Sequence, residues 1–289
     1  MKIKHLLIIN IFLILIILIN FVFKNDSKKY IFNRNFKESE FRVVKSYNTE
    51  NKYFSAPSNL IALYKKQSNS ENQFVEGKFL TLDENFTEKS TFKFQINKNF
   101  NPVILNISKN LLYTQNWKLY LNNKLISDKI KVVNAIFLNK EKILFLGEYY
   151  DGNGFNFGFF YFDLNTKTIE KLNIIRSDSL SFFPKLFLQY TGNFKKYENK
   201  IVYVNEKSSN AWVIENTEIS EFATKDKTPL PTIINSDNNY YYERGKTYNT
   251  NSDFFLTEKN VCVFSNRTEN KNEIVIDLYK YNGKYVNNS

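Results

Sequence analysis

The sequence predicts an all-β fold, a six-bladed β-propeller preceded by one N-terminal transmembrane helix. Three observations carry that expectation. Short apolar and aromatic runs, separated by turns rich in Asn, Asp and Lys, recur with a period of roughly 40 residues, the spacing of a propeller blade. Aromatic residues make up 17% of the 289 residues while Gly and Pro number only 8 and 5, a composition that suits strands. One long, almost uninterrupted apolar stretch stands apart at the N-terminus.

That stretch covers residues 6–23, from Leu6 to Phe23, and is nearly continuous Leu, Ile and Phe, broken by Asn10 and Asn20. At about 1.5 Å per residue it reaches roughly 27 Å, enough to cross a hydrocarbon core. It reads as an anchor or an uncleaved signal, because no small-residue cleavage site follows it. No Cys follows it either, which excludes a lipoprotein anchor. Lys2 and Lys4 before the span compete with Lys24, Lys28 and Lys29 after it in setting orientation. A span ahead of a long domain exports that domain, so the expected address is membrane-anchored with the propeller on the periplasmic or cell-surface side. The chain divides into an anchor (1–24), a polar tether (25–40) and the propeller domain (41–289).

The clearest blade is residues 142–172, entered by a strand at 132–138. An apolar run at 143–150 meets Asp151-Gly152-Asn153-Gly154, a second run fills 155–163, and a turn at 164–167 leads to a third at 168–172. Asp-Gly and Asn-Gly supply the positive φ a tight hairpin needs. Earlier strands are expected at 41–47, 60–65, 77–82 and 90–96, then at 103–107, 111–115, 117–122 and 125–130. Residues 173–190 read as a loop between blades. The grammar resumes at 200–204, 211–214 and 218–222, passes through a second long connection at 224–252, and ends with 253–256, 261–265, 274–281 and 284–286. Leu111, Leu144, Val202 and Val261 align as equivalent positions of second strands. These units make five blades, and pairing 41–47 with the C-terminal strands makes a sixth, which would hide the sheet edges.

Composition also narrows the chemistry. The only His, His5, precedes the apolar stretch, so a site in the folded domain lacks the commonest general base, the usual zinc ligand and the Ser-His-Asp triad. The single Cys262 lies in an apolar run and reads as a small core residue. A net charge of +11 is compatible with an anionic partner, but the excess is almost all Lys. The five Arg are scattered at 34, 42, 176, 244 and 267, so no nucleic-acid surface is expected. No catalytic residue, metal or cofactor is assigned.

Asn193 to Tyr197 (NFKKY), Lys225 to Pro231 (KDKTPLP), Asn249 to Ser252 (NTNS) and Ile276 to Tyr279 (IDLY) resemble segments of the TolB-like six-bladed β-propeller proteins of Bacteroidetes, over the C-terminal half of the chain. The resemblance implies a cell-envelope propeller. Many such relatives are lipoproteins, whereas this chain has an apparent span instead. No catalytic residue carries over.

Two stretches are candidate binding sites. Tyr240, Tyr241 and Tyr242 with Arg244 lie in the long connection, where phenols offer amphipathic contact area and the guanidinium a planar fork. The alternative is a strand that packs its tyrosines against the next blade. Tyr149 and Tyr150, beside Glu148 and Asp151, would stand at one mouth of the ring or pack between sheets. Asp151 and Asn153 have oxygens suited to calcium but lack a full loop's spacing, and a hairpin turn explains them. The expected function is a non-enzymatic binding or scaffold module for a protein, peptide or glycan. The alternative is a hydrolase or lyase that uses carboxylates and Tyr.

Overall fold

The computed structural model of the chain describes residues 52–55, 60–68, 73–81, 87–96, 102–237, 239–243, 248, 250–266 and 275–286. The expected span at 6–23, the tether and the strand at 41–47 lie outside the described residues. Among the described residues no helix is long and apolar enough to cross a membrane.

Blade 1 comprises β1 (Lys52–Ser55), β2 (Leu60–Ser68), β3 (Gln73–Thr81) and β4 (Glu88–Ile96). Blade 2 comprises β5 (Val103–Ile107), β6 (Leu111–Gln115), β7 (Lys118–Leu121) and β8 (Lys124–Leu125). Blade 3 comprises β9 (Ile130–Phe137), β10 (Lys142–Tyr150), β11 (Phe155–Asp163) and β12 (Ile169–Asp178). Helix α1 (Phe183–Tyr190) leads into blade 4, formed by β13 (Gly192–Tyr197), β14 (Lys200–Asn205), β15 (Asn210–Glu215) and β16 (Glu218–Ala223). A separate ribbon of β17 (Ile233–Ser236) and β18 (Asn239–Tyr242) precedes blade 5, which contains β19 (Asn251–Leu256), β20 (Asn260–Ser265) and β21 (Val275–Lys280).

Each sheet is an antiparallel meander in sequence order. The first strands β5, β9, β13 and β19 lie successively side by side, and an apolar core fills each gap between consecutive blades. Radially neighbouring meanders that bury both faces against one another make a β-propeller. Leu111, Leu144, Val202 and Val261 all fall on second strands, as the alignment expected.

Five blades stand among the described residues where six were expected. Residues 284–286, expected as the last strand of the final unit, fold back on β21 in that place. Tyr285 bridges Tyr279, and the Val286 N–H donates to the Leu278 carbonyl at 2.8 Å. They stand where the other blades have a fourth strand. The 125–130 expectation also divides, because β8 ends at Leu125 and Ile130 already begins β9.

The largest departure is at 173–190. The polar run around Ser177-Asp178 continues β12, because an outer strand exposes one face and tolerates polar residues there. Phe183, Leu186 and Tyr190 then share one buried helical face, with Pro in the first turn where a missing N–H costs nothing. Thr191 Oγ1 donates to the Phe187 carbonyl at 2.7 Å where the helix stops.

Blade 3 is pinched at its centre. Gly147 and Gly158 pair across β10 and β11, each next to a register shift in the adjoining ladder. A Cβ on Gly147 would meet the Lys131 carbonyl oxygen at 2.2 Å, and one on Gly158 would meet that of Asn173 at 2.0 Å. The bulges need that close backbone approach.

Candidate functional site

In a four-stranded meander the first strand starts, the second ends, the third starts and the fourth ends at the same side. In this molecule that side carries α1 and the ribbon. Trp117, in the turn between β6 and β7, packs edge-on against Phe183 at 5.5 Å and touches Phe187 at 6.2 Å. Tyr242 donates its hydroxyl to the Leu188 carbonyl at 3.0 Å, and Gln189 Nε2 donates to the Pro231 carbonyl at 2.8 Å. Helix α1 therefore bridges from blade 2 to the ribbon across one mouth. Tyr203, fully buried beneath, donates its hydroxyl to the Tyr190 carbonyl, and burial pushes that phenol well above its ordinary pKa.

The loop before α1 is tied to blade 3. Glu148 is 3% exposed; its Oε1 accepts from Ser181 Oγ at 2.6 Å, and Lys131 Nζ donates to Ser181 Oγ at 2.8 Å and lies 3.5 Å from Glu148. Asp151 is equally committed. Its Oδ1 accepts the N–H groups of Asn153 and Gly154 at 3.0 and 3.2 Å, and its Oδ2 accepts from Asn156 Nδ2 at 2.9 Å and Lys171 Nζ at 2.7 Å. The Lys171 hydrogen bond, aided by the Asn153 N–H, holds the Asp151 carboxyl far below the usual carboxylate range. These oxygens close a hairpin turn. Among the described residues no group of three or more His, Cys, Asp or Glu gathers for a metal.

The tyrosines have different fates. Tyr149 is half-buried, edge-on to Phe160 at 6.0 Å in the core between blades 2 and 3. Tyr150 is exposed, with its ring 4.9 Å from Phe155 and its hydroxyl on the Gly152 carbonyl at 3.0 Å. Tyr240, Tyr241 and Tyr242 form β18, in neither a bare loop nor a blade strand. Tyr242 turns inward, 5.9 Å from Tyr248, and burial raises its pKa. Tyr241 points outward at 54% exposure beside its cross-strand partner Ile234 at 46%. No hydrogen bond or ring contact joins Tyr149 and Tyr150 to the β18 tyrosines. Arg244 lies outside the described residues.

Glu206, at the turn after β14, was not anticipated. Asn193 Nδ2 donates to its Oε1 at 2.7 Å, and Asn134 Nδ2 in turn donates to Asn193 Oδ1 at 3.2 Å, which links the first strands of blades 3 and 4. Nearby on first strands, Lys195 pairs with Asp253 at 2.8 Å. Burial raises the Glu206 carboxyl above its ordinary pKa and Asp253 adds to the shift, while Lys207 and the Asn193 bond oppose it. Local sequence held no signal for this, since the partners are distant in the chain.

This mouth also carries exposed apolar side chains. Val103, Trp117, Tyr150, Leu180, Ile234 and Tyr241 are six of the nine most exposed large apolar side chains among the described residues, and all lie at this side; Leu180 is 67% exposed. Clustered apolar exposure marks contact surfaces, whereas scattered exposure is ordinary.

No protein-family model matches the chain, and no curated protein does. Among solved structures, a eukaryotic initiation factor is similar at 9% identity and TM-score 0.34, covering 82% of this chain and 53% of that one. The N-terminal domain of Nup159 is similar at 11% identity and TM-score 0.34, covering 78% and 56%. The dihydro-heme d1 dehydrogenase NirN is similar at 11% identity and TM-score 0.32, covering 82% and 54%. The chain thus spans about half the length of each. Likeness at that level carries no argument about function, and the fold rests on the sheet topology.

Proposed function

We propose that this chain is a membrane-anchored propeller of the cell envelope that serves as a binding or scaffold module, engaging a protein, peptide or glycan through the mouth that carries α1. The observation that carries the reading is the gathering of Val103, Trp117, Tyr150, Leu180, Ile234 and Tyr241 at that one mouth. The carboxylates of Glu148 and Asp151 support it from the other direction. Glu148 Oε1 is taken up by Ser181 and Lys131, and both Asp151 oxygens by Lys171, Asn156 and backbone N–H groups, which ties both residues into the scaffold. The apolar residues 6–23 and the TolB-like resemblance support the membrane and envelope address.

The test is site-specific photo-crosslinking of the full-length chain in its own cells. A benzophenone side chain at Leu180 or Tyr241 should capture one defined partner, while the same group at Ile174 or Phe255, exposed but away from this mouth, should capture none. Equal capture from all four positions would end the reading. Carbonate extraction of the membrane fraction tests the anchor separately.

A second reading, a His-independent hydrolase or lyase, has one observation in its favour. The raised Glu206 carboxyl feels Asp253 and acts electrostatically on Tyr242, so a carboxyl with a raised pKa and a phenol share the α1 mouth. Loss of a hydrolytic activity in Glu206→Gln without loss of folding would favour it.

A further inference from the structure

Among the described residues no further strand pairs with β18 of the ribbon, and the ribbon's hydrogen-bond phase can be read. Glu243 N–H donates to the Thr232 carbonyl at 3.1 Å, and the register pairs Ile233 with Tyr242 and Ile234 with Tyr241. Bonded pairs in an antiparallel ladder alternate, so Ile234 with Tyr241 and Ser236 with Asn239 exchange bonds across the ribbon. The N–H and C=O groups of Tyr240 and Tyr242 therefore point away from β17. No described backbone group meets them, while β17 lies against α1.

Edges are normally protected by charge or proline. The outer strands of the first four blades follow that rule, with Lys89 and Lys93 on β4, Lys124 on β8, Lys171 and Arg176 on β12, and Glu218 and Glu221 on β16. The ribbon strands, IINS and NYYY, contain no charge and no proline in a chain otherwise crowded with lysine. Their exposed face carries Ile234 and Tyr241.

We infer that β18 is a self-association edge, and that its occupant is β18 of a second copy of this chain. Antiparallel pairing about a two-fold axis sets Tyr241 opposite its own counterpart. Tyr240 and Tyr242 of each copy then exchange N–H to C=O bonds with Tyr242 and Tyr240 of the other. The result is one four-stranded sheet, the strand number found in the first four blades, with a continuous apolar row of Ile234, Tyr241, Tyr241 and Ile234 on one face. Such a contact is isologous and closed, so it stops at a dimer. Four-residue edges make a small interface, and confinement in a membrane raises its occupancy; to that extent the inference rests on the anchoring proposed above.

The test is disulfide trapping in the full-length chain in vesicles, with Cys262 buried and out of reach. Opposed residues of a non-bonded antiparallel pair have Cα atoms about 4.5 Å apart, within disulfide range. Tyr241→Cys should therefore cross-link to dimer, while Asn239→Cys, on the same exposed face but displaced from the axis, should not. Adding Tyr240→Pro, which removes an outward N–H and no bond within the ribbon, should abolish the Tyr241→Cys cross-link. Equal cross-linking at 239 and 241 would show random collision and overturn the inference. A dimer that persists with Tyr240→Pro would be held elsewhere, and a chain that stays monomeric would leave the edge to an extended peptide of another protein; either overturns it. If carbonate extraction shows that the chain is not anchored, the same pair of cysteines in detergent at higher protein concentration still decides the strand pairing.

Discussion

Blade 3 turns at Asp151-Gly152-Asn153-Gly154 between two aromatic strands, and the ribbon turns at Asp237 between Ile233–Ser236 and Asn239–Tyr242. Both hairpins hold at least one aromatic strand and close on an Asp-containing turn, yet their environments differ. In blade 3, Phe159 and Tyr161 face blade 4 while Phe160 and Phe162 face blade 2, and all are buried. The ribbon has α1 on one side and solvent on the other, so Tyr242 is held while Tyr241 is left outside. Local pattern sets the hairpin; the neighbours decide whether it becomes scaffold or working surface.

Blade 3 should be the less tolerant of the two hairpins. Phe159 is fully buried and meets Phe194, Tyr203 and Trp212 within 6.1 Å. Phe159→Ala should cost about 3–5 kcal/mol, the range for a large core aromatic. Urea unfolding of the full chain in detergent measures it, and a loss under about 1 kcal/mol would mean that blades 3 and 4 are not packed together. Gly158→Ala is the next largest effect. Its added methyl meets backbone rather than a movable side chain, and roughly 1–3 kcal/mol is expected for such overpacking.

How far these environments could be read from the chain follows from what each signal depends on. Strand positions such as 103–107, 111–115 and 261–265 were legible because alternation, aromatic enrichment and turn residues are local. Helix α1 was not, since Pro184 and the serines before it signal a loop, and only the apolar mouth beneath Phe183, Leu186 and Tyr190 makes the helix worth forming. The β18 tyrosines could be singled out by composition, but which of them faces solvent depends on the phase set by Thr232 and Glu243. Glu206 was invisible for the same reason, because its environment is assembled from Asn193, Asn134 and Asp253 on first strands of three blades.

Glu206 allows a pH test of that assembly. Its folded pKa lies above the ordinary glutamate value, so the folded chain binds this proton more tightly than the unfolded one. The stability linked to it is full below about pH 4.3, the ordinary glutamate value, and is lost as pH rises through the raised folded value. Glu206→Gln keeps an oxygen for Asn193 and removes the titration. Urea midpoints from pH 4 to 7 should therefore fall less steeply in the variant, which should be at least as stable as the parent at pH 7. A parallel pair of profiles would show that burial does not govern this carboxyl.

The smallest effect separates the two faces of the ribbon. Tyr242→Phe removes the hydroxyl bond to the Leu188 carbonyl and should cost about 0.5–1.5 kcal/mol. Tyr241→Ser, one residue earlier on the opposite face, should change stability by no more than about 0.5 kcal/mol, because an exposed side chain away from packing contributes little. The same Tyr241→Ser change should nonetheless reduce capture of a partner by a photo-crosslinker at Leu180 if the ribbon and the α1 loop form one contact surface. Stability and capture then move independently at Tyr241 and together at Tyr242, where loosening the ribbon also frees α1. A Tyr241→Ser variant that unfolds as readily as Phe159→Ala would place the ribbon inside the scaffold and remove the contrast with blade 3.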